Sequence, residues 1–119
     1  MKHAKSSKQQ AKHYTWGENC DSWILAENQG ISVKHETMPA GTKEKLHYHF
    51  KAQQYFFVLK GTAVFYAGNQ KYELKEHEGI LVEHEEQHFI SNESQQNVEF
   101  LVISQPAIHN DRVNVEDKI

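Results

Sequence analysis

From Trp16 onward the apolar positions fall into short runs separated by polar breaks, among them SWILAE, ISVKHETM, KLHYHF, QYFFVLKG, TAVFYAGNQ, EGILVEH, QHFISN and VEFLVISQP. Runs of roughly four to eight residues, rich in Val, Ile, Phe and Tyr and broken every ~8–12 residues, predict an all-β sandwich or barrel. No segment sustains the i, i+3, i+4, i+7 apolar stripe of an amphipathic helix over three turns. In QYFFVLKG, Tyr55, Phe57 and Leu59 alternate with Phe56 and Val58, so this strand is apolar on both faces. The pattern predicts a barrel interior on one side, with Phe56 and Val58 as candidate pocket-lining residues, and sheet or subunit packing on the other.

The ends of the chain behave differently. Residues 1–13, MKHAKSSKQQAKH, are polar and without apolar period, and predict a disordered tail. Residues 107–119 read as a polar C-terminal arm, which leaves 14–106 as one folded domain. No internal repeat or second domain is visible.

Composition narrows the partners. In 119 residues, 38% are hydrophobic and 24% charged, enough for one modest core. The formal net charge of −3 supplies no electrostatic footprint for nucleic acid or an anionic membrane. Cys20 is the sole cysteine, so no intrachain disulfide can form, and no apolar stretch has the length of a membrane span. These features predict a soluble cytoplasmic protein with a small-molecule partner. The nine histidines are the main chemical clue, because neutral imidazole is the commonest protein ligand for transition metals.

Two histidine patterns compete. His84-Glu85-Glu86-Gln87-His88 fits H-E-x-x-H, the metalloprotease pattern. That site needs a helix to bring i and i+4 to one face. Here Gly79-Ile80-Leu81-Val82 precedes the match and Phe89-Ile90-Ser91-Asn92 follows it, an order that predicts strand, polar loop, strand and excludes the protease reading. The second pattern is LHYHF, which places His47 and His49 on one face of a strand, about 6.5 Å apart along the backbone. Tyr48 points the other way. Gln54 heads the next strand and His88 opens a later one; if the strands curl into a small barrel, three imidazoles and one amide oxygen face one cavity with coordination positions left open. His35 shares strand parity with Ile31 and Val33, which points it inward as a further pocket-lining candidate.

The stretch from Gly41 through His47, His49 and Gln54 to Gly61 resembles the first motif of the cupin superfamily, G-x5-H-x-H-x(3,4)-E-x6-G, with every spacing kept and Gln54 in the Glu position. His88 and Asn92 resemble the end of the second motif, G-x5-P-x-G-x2-H-x3-N, whose upstream positions are here His77, Glu83 and Glu85. The resemblance spans residues 23–104. It implies a single-domain antiparallel jelly-roll-like β-barrel, commonly a homodimer, holding a divalent transition metal (Fe, Mn, Ni, Zn or Cu) through His47, His49, Gln54 and His88. An amide in place of the carboxylate leaves the bound ion with about one more unit of positive charge, so anionic ligands are held better. The implied functions are a metal-dependent oxidoreductase or isomerase, dioxygenase-, isomerase- or cyclase-like, acting on a small oxygenated molecule, or a non-catalytic sensor binding such a molecule or the metal. An acid or base inside the cavity that is not a metal ligand separates the two.

Overall fold

The computed structural model describes residues 3–107 and 110–115 and contains eleven strands among them. In chain order these are β1 (Lys12–Trp16), β2 (Cys20–Glu27), β3 (Ser32–Met38), β4 (His47–His49), β5 (Gln53–Lys60), β6 (Ala63–Ala67), β7 (Gln70–Leu74), β8 (Gly79–Val82), β9 (His88–Ser91), β10 (Val98–Gln105) and β11 (Arg112–Asn114). They form a six-stranded sheet ordered β1-β2-β3-β10-β5-β8 and a five-stranded sheet ordered β11-β4-β9-β6-β7. All the strand pairings are antiparallel, and the two sheets make the jelly-roll-like barrel. No helix among the described residues is long and apolar enough to cross a membrane.

Alternation explains which residues close the core. On β5, Gln54, Phe56 and Val58 are buried while Gln53 and Tyr55 face out, and Phe56 packs on Phe65 and Phe100 at ring-centroid distances of 4.8 and 6.2 Å. With Met38, Val82, Ile90 and Val98 these side chains fill one end of the barrel. Each fully buried aliphatic or aromatic side chain contributes roughly 1.5–3 kcal/mol, so this end is the stable platform. Gly61, at φ +85°, turns β5 into β6; a Cβ there would stand 2.7 Å from the carbonyl oxygen of Asn97, a contact no other residue tolerates. The core occupies one end only, and the other end is a cavity.

Two strands fall where the sequence predicts tail and arm. β1 takes in Lys12 and His13, and His13 Nε2 lies 2.7 Å from Asp21 Oδ1 on β2. β11 pairs with β4, Arg112 opposite His49 and Asn114 opposite His47. Both are exposed edge strands whose residues are mostly polar, so neither carries the apolar alternation by which a strand is recognised.

Candidate metal centre

The β4–β9 ladder brings His47 opposite His88, and the one-residue alternation of β4 sets His49 beside them. One ring nitrogen from each of the three lies within 4.8 Å of the others, close enough to hold a metal ion. Backbone carbonyls fix two of the rings. His47 Nδ1 is 2.7 Å from the carbonyl oxygen of Lys45, and His88 Nδ1 is 2.8 Å from that of Glu86. A carbonyl oxygen only accepts, so each Nδ1 carries the proton and each Nε2 presents a lone pair. Burial, with help from the Arg112 charge, pushes His47 down to about 3; burial and then His88 push His49 down to about 4; burial lowers His88. All three imidazoles are neutral at ordinary pH, the form that binds a metal.

Gln54 lies beside the three rings. Its NH₂ donates to Ser104 Oγ at 2.9 Å, which turns its amide oxygen toward His88 Nε2, 3.2 Å away. Both facing atoms are acceptors, an arrangement that a cation relieves. The donor set therefore fits a borderline divalent ion.

A cavity of about 1060 Å³ opens beside the cluster and is lined by His47, His49, Gln54, Phe56 and several ionisable side chains. Lys34 Nζ donates to the Tyr14 hydroxyl at 2.9 Å; burial opposes its charge, but that hydrogen bond and nearby carboxylates outweigh it and raise the pKa. Glu36 is buried, and burial raises its carboxyl. Burial drives Glu44 up to about 7, only partly offset by Arg112, whose Nη1 lies 3.8 Å from Glu44 Oε2. Glu44 Oε1 accepts from the Ile90 backbone N–H at 3.1 Å. The guanidinium of Arg112 is held by its Nε, which donates to Asn114 Oδ1 at 3.0 Å.

Asp111 works from outside the cluster. Its two carboxylate oxygens accept from the backbone N–H groups of Lys51 and Ala52, at 2.8 and 2.9 Å, and Oδ2 lies 3.8 Å from His49 Nδ1. A buried aspartate so placed pins the β4–β5 connection and favours a proton on His49 Nδ1, which leaves Nε2 free.

The structure thus assembles His47, His49, His88 and Gln54, and sets Phe56 in the cavity wall. Two pocket candidates lie elsewhere. Val58 is one step deeper on β5, fully buried in the core and away from the cavity. His35 faces the outside of the sheet, its Nε2 2.9 Å from Glu99 Oε1 and its ring against Trp23. The inward residues of β3 are instead Ser32, Lys34, Glu36 and Met38: a strand lining a polar cavity turns its polar residues inward, the reverse of the parity assumed from Ile31 and Val33. The sequence does not single out Lys34, Asp111 or Arg112, and marks Glu36 and Glu44 only among the Glu residues around the motif; Lys34 and Glu36 carry a signal, the polar side of an alternating strand. The first four residues of the H-E-x-x-H stretch lie in the β8–β9 loop and His88 opens β9; His84 and Glu85 are exposed, with Glu85 at φ +67° and its N–H donating to the His49 carbonyl oxygen at 2.7 Å.

Comparison with known proteins bears on the family and the fold. The cupin domain model matches residues 34–104, more than half of the chain, and the chain belongs to the cupin family. An uncharacterized protein of Methanocaldococcus jannaschii, MJ1618, is 27% identical over 75 residues; the match covers 63% of this chain and 60% of that relative's length. The fold is similar to that of KdgF from Halomonas sp., with a TM-score of 0.84 at 12% identity over 92% of this chain and 98% of that one. It is also similar to a sugar phosphate isomerase of the cupin superfamily from Silicibacter pomeroyi, with a TM-score of 0.74 at 15% identity over 87% and 76% of the two chains.

Proposed function

We propose that this chain is a metal-dependent enzyme that moves protons on a small oxygenated organic molecule, isomerase- or cyclase-like, with a divalent transition metal held by His47, His49, His88 and Gln54. The observation that carries the reading is the set of acids and bases beside the cluster that are not among its donors: Glu36, Glu44 and the Lys34–Tyr14 pair share one cavity with His47, His49 and Gln54. A pure binding pocket has no need of a carboxyl that titrates near neutrality, as Glu44 does. When bound, the ion supplies Lewis acidity toward a chelating substrate oxygen. The chain's own groups do the rest. Glu44, with its pKa near 7, can take up or release a proton at Oε2 at neutral pH, where an ordinary glutamate is already ionised. Phe56 and Val102 supply apolar wall to the same cavity. Lys34 and Tyr14 hold each other in place and present donors to a substrate oxygen.

We further place a homodimer contact on the outer face of the six-stranded sheet, where Tyr55 and Leu81 pair across β5 and β8 and are 37% and 56% exposed. Sedimentation equilibrium tests that contact, and a monomer at all concentrations would contradict it.

The enzyme reading is tested by screening metal-loaded protein with 1,3-dicarbonyls, enediols and catechols, in air and without it, against Glu44→Gln. Turnover without added oxidant, lost in Glu44→Gln with metal retained, is the expected result. Neither turnover nor metal-dependent binding would overturn it, and metal-dependent binding without turnover would identify a sensor instead.

A further inference from the structure

We propose that the molecule taken by this cavity is a small hydroxy- or oxo-carboxylic acid, with the Arg112 guanidinium receiving its carboxylate and Lys34 supplying a second cationic contact. The proposal rests on the metal-centre reading above and adds the charge of the ligand. Arg112 reaches the cavity from β11 and its side chain is 41% exposed. Its one hydrogen bond among the described residues runs from Nε to Asn114, and at 3.8 Å the Glu44 contact is beyond hydrogen-bond reach. Among the described residues the guanidinium is therefore oriented from behind, with no hydrogen bond at its Nη groups. Lys34 is in a similar position, because its side chain's one hydrogen-bonded partner among the described residues is the Tyr14 hydroxyl rather than a carboxylate.

The surrounding charges leave room for an anion. His47, His49, His88 and Gln54 are neutral donors, so a divalent ion among them keeps its full charge. Glu36 and Glu44 share the cavity with the two cations, and burial pushes both carboxyls toward the uncharged form. Asp111, next to Arg112 in sequence, is committed to two backbone N–H groups. Lys43 and Lys45 add positive charge among the lining residues, against Glu18. A ligand with one or more negative charges satisfies this excess.

Carboxylate is favoured over phosphate by the form of the receptor. A single planar guanidinium fork matches a planar carboxylate in bidentate geometry. The second cation stands on a different strand, β3, which suits an extended acid whose hydroxyl or carbonyl oxygens lie toward the imidazoles. Phosphate sites more commonly gather backbone N–H groups at a helix N-terminus or nest, and no helix occurs among the described residues.

Calorimetric titration tests this with three probes on one carbon skeleton: gluconate, glucitol and glucitol 6-phosphate. Each is titrated into metal-loaded and chelator-treated protein, with metal content measured before and after. Gluconate should bind at least roughly tenfold more tightly than glucitol, as one charge-assisted contact implies. Arg112→Gln should remove most of that preference, Arg112→Lys should retain part of it, and Lys34→Gln should weaken it less, all at unchanged melting temperature. Equal binding of gluconate and glucitol, or no Arg112-dependent binding of gluconate to either form of the protein, would overturn the proposal. Tighter Arg112-dependent binding of glucitol 6-phosphate would overturn the carboxylate assignment. Failure of the wild-type chain to take up metal counts against the metal centre alone, since the charge preference is read in both forms.

Discussion

Gln54 Oε1 faces His88 Nε2 at 3.2 Å, acceptor to acceptor, with the amide turned by Ser104 and the ring by the Glu86 carbonyl. Each partner is oriented by a bond on its far side, so the near side is left for a cation. Replacing the amide with a carboxylate keeps the geometry and adds a charge. Gln54→Glu should bind a divalent metal more tightly by roughly tenfold or more. Competition against a calibrated chelator measures this, and unchanged or weaker binding would show that residue 54 does not face the ion.

Glu44 makes stability depend on pH. Its folded pKa, about 7, is above the ordinary carboxyl value of 4.5, so the folded protein binds the extra proton between those values. Stability is fully present below about pH 4.5 and falls as pH rises through 7. A raise of this size corresponds to about 3 kcal/mol if the site stays dry. In urea unfolding of metal-free protein, Glu44→Gln should be more stable than wild type at pH 8 and close to it at pH 5. A wild type that gains stability between pH 5 and 8 relative to Glu44→Gln would contradict the burial account. Gain of stability together with loss of turnover would mark Glu44 as a group retained for chemistry.

Asp111 joins the C-terminal strand to the centre. Asp111→Ala leaves the N–H groups of Lys51 and Ala52 without their acceptors and should destabilise the fold by about 2–4 kcal/mol. Asp111→Asn retains one acceptor and should cost about half as much. Both should weaken metal binding by freeing the His49 ring. Thermal unfolding and the chelator competition read the two effects, and full stability in Asp111→Ala would refute the clamp.

His84 and Glu85 should be silent. Both are exposed in the β8–β9 loop, so His84→Ala and Glu85→Gln should change stability by no more than about 0.5 kcal/mol and leave metal content intact. Metal loss in His84→Ala would revive H-E-x-x-H as a ligand pattern.

What the sequence disclosed, and what it hid, follows one physical rule. Hydrophobic alternation reports strands that cover a core, so β5, β6, β8, β9 and β10 were legible, and Gly41–Gly61 spacing located His47, His49 and Gln54. His88 was separable from His84 because strand residues follow it. The failures cluster where the barrel is polar inside. On β3 the wet cavity reverses the usual parity, so the pattern points His35 inward and Lys34 and Glu36 outward, the opposite of their places in the structure. Strands β1 and β11, exposed at sheet edges, lacked an apolar period, which concealed Tyr14, Asp111 and Arg112. The candidate ligands lie on β5, β9 and the motif strand β4, whereas the ionisable groups beside them lie largely on β3 and the edge strands.

The central claim is that His47, His49 and His88 hold a metal. Elemental analysis of protein purified without added metal, set beside the His47→Ala, His49→Ala double variant, tests it most directly. The account predicts a stoichiometric divalent transition metal in the wild type and none in the variant; equal and negligible metal in both would contradict it.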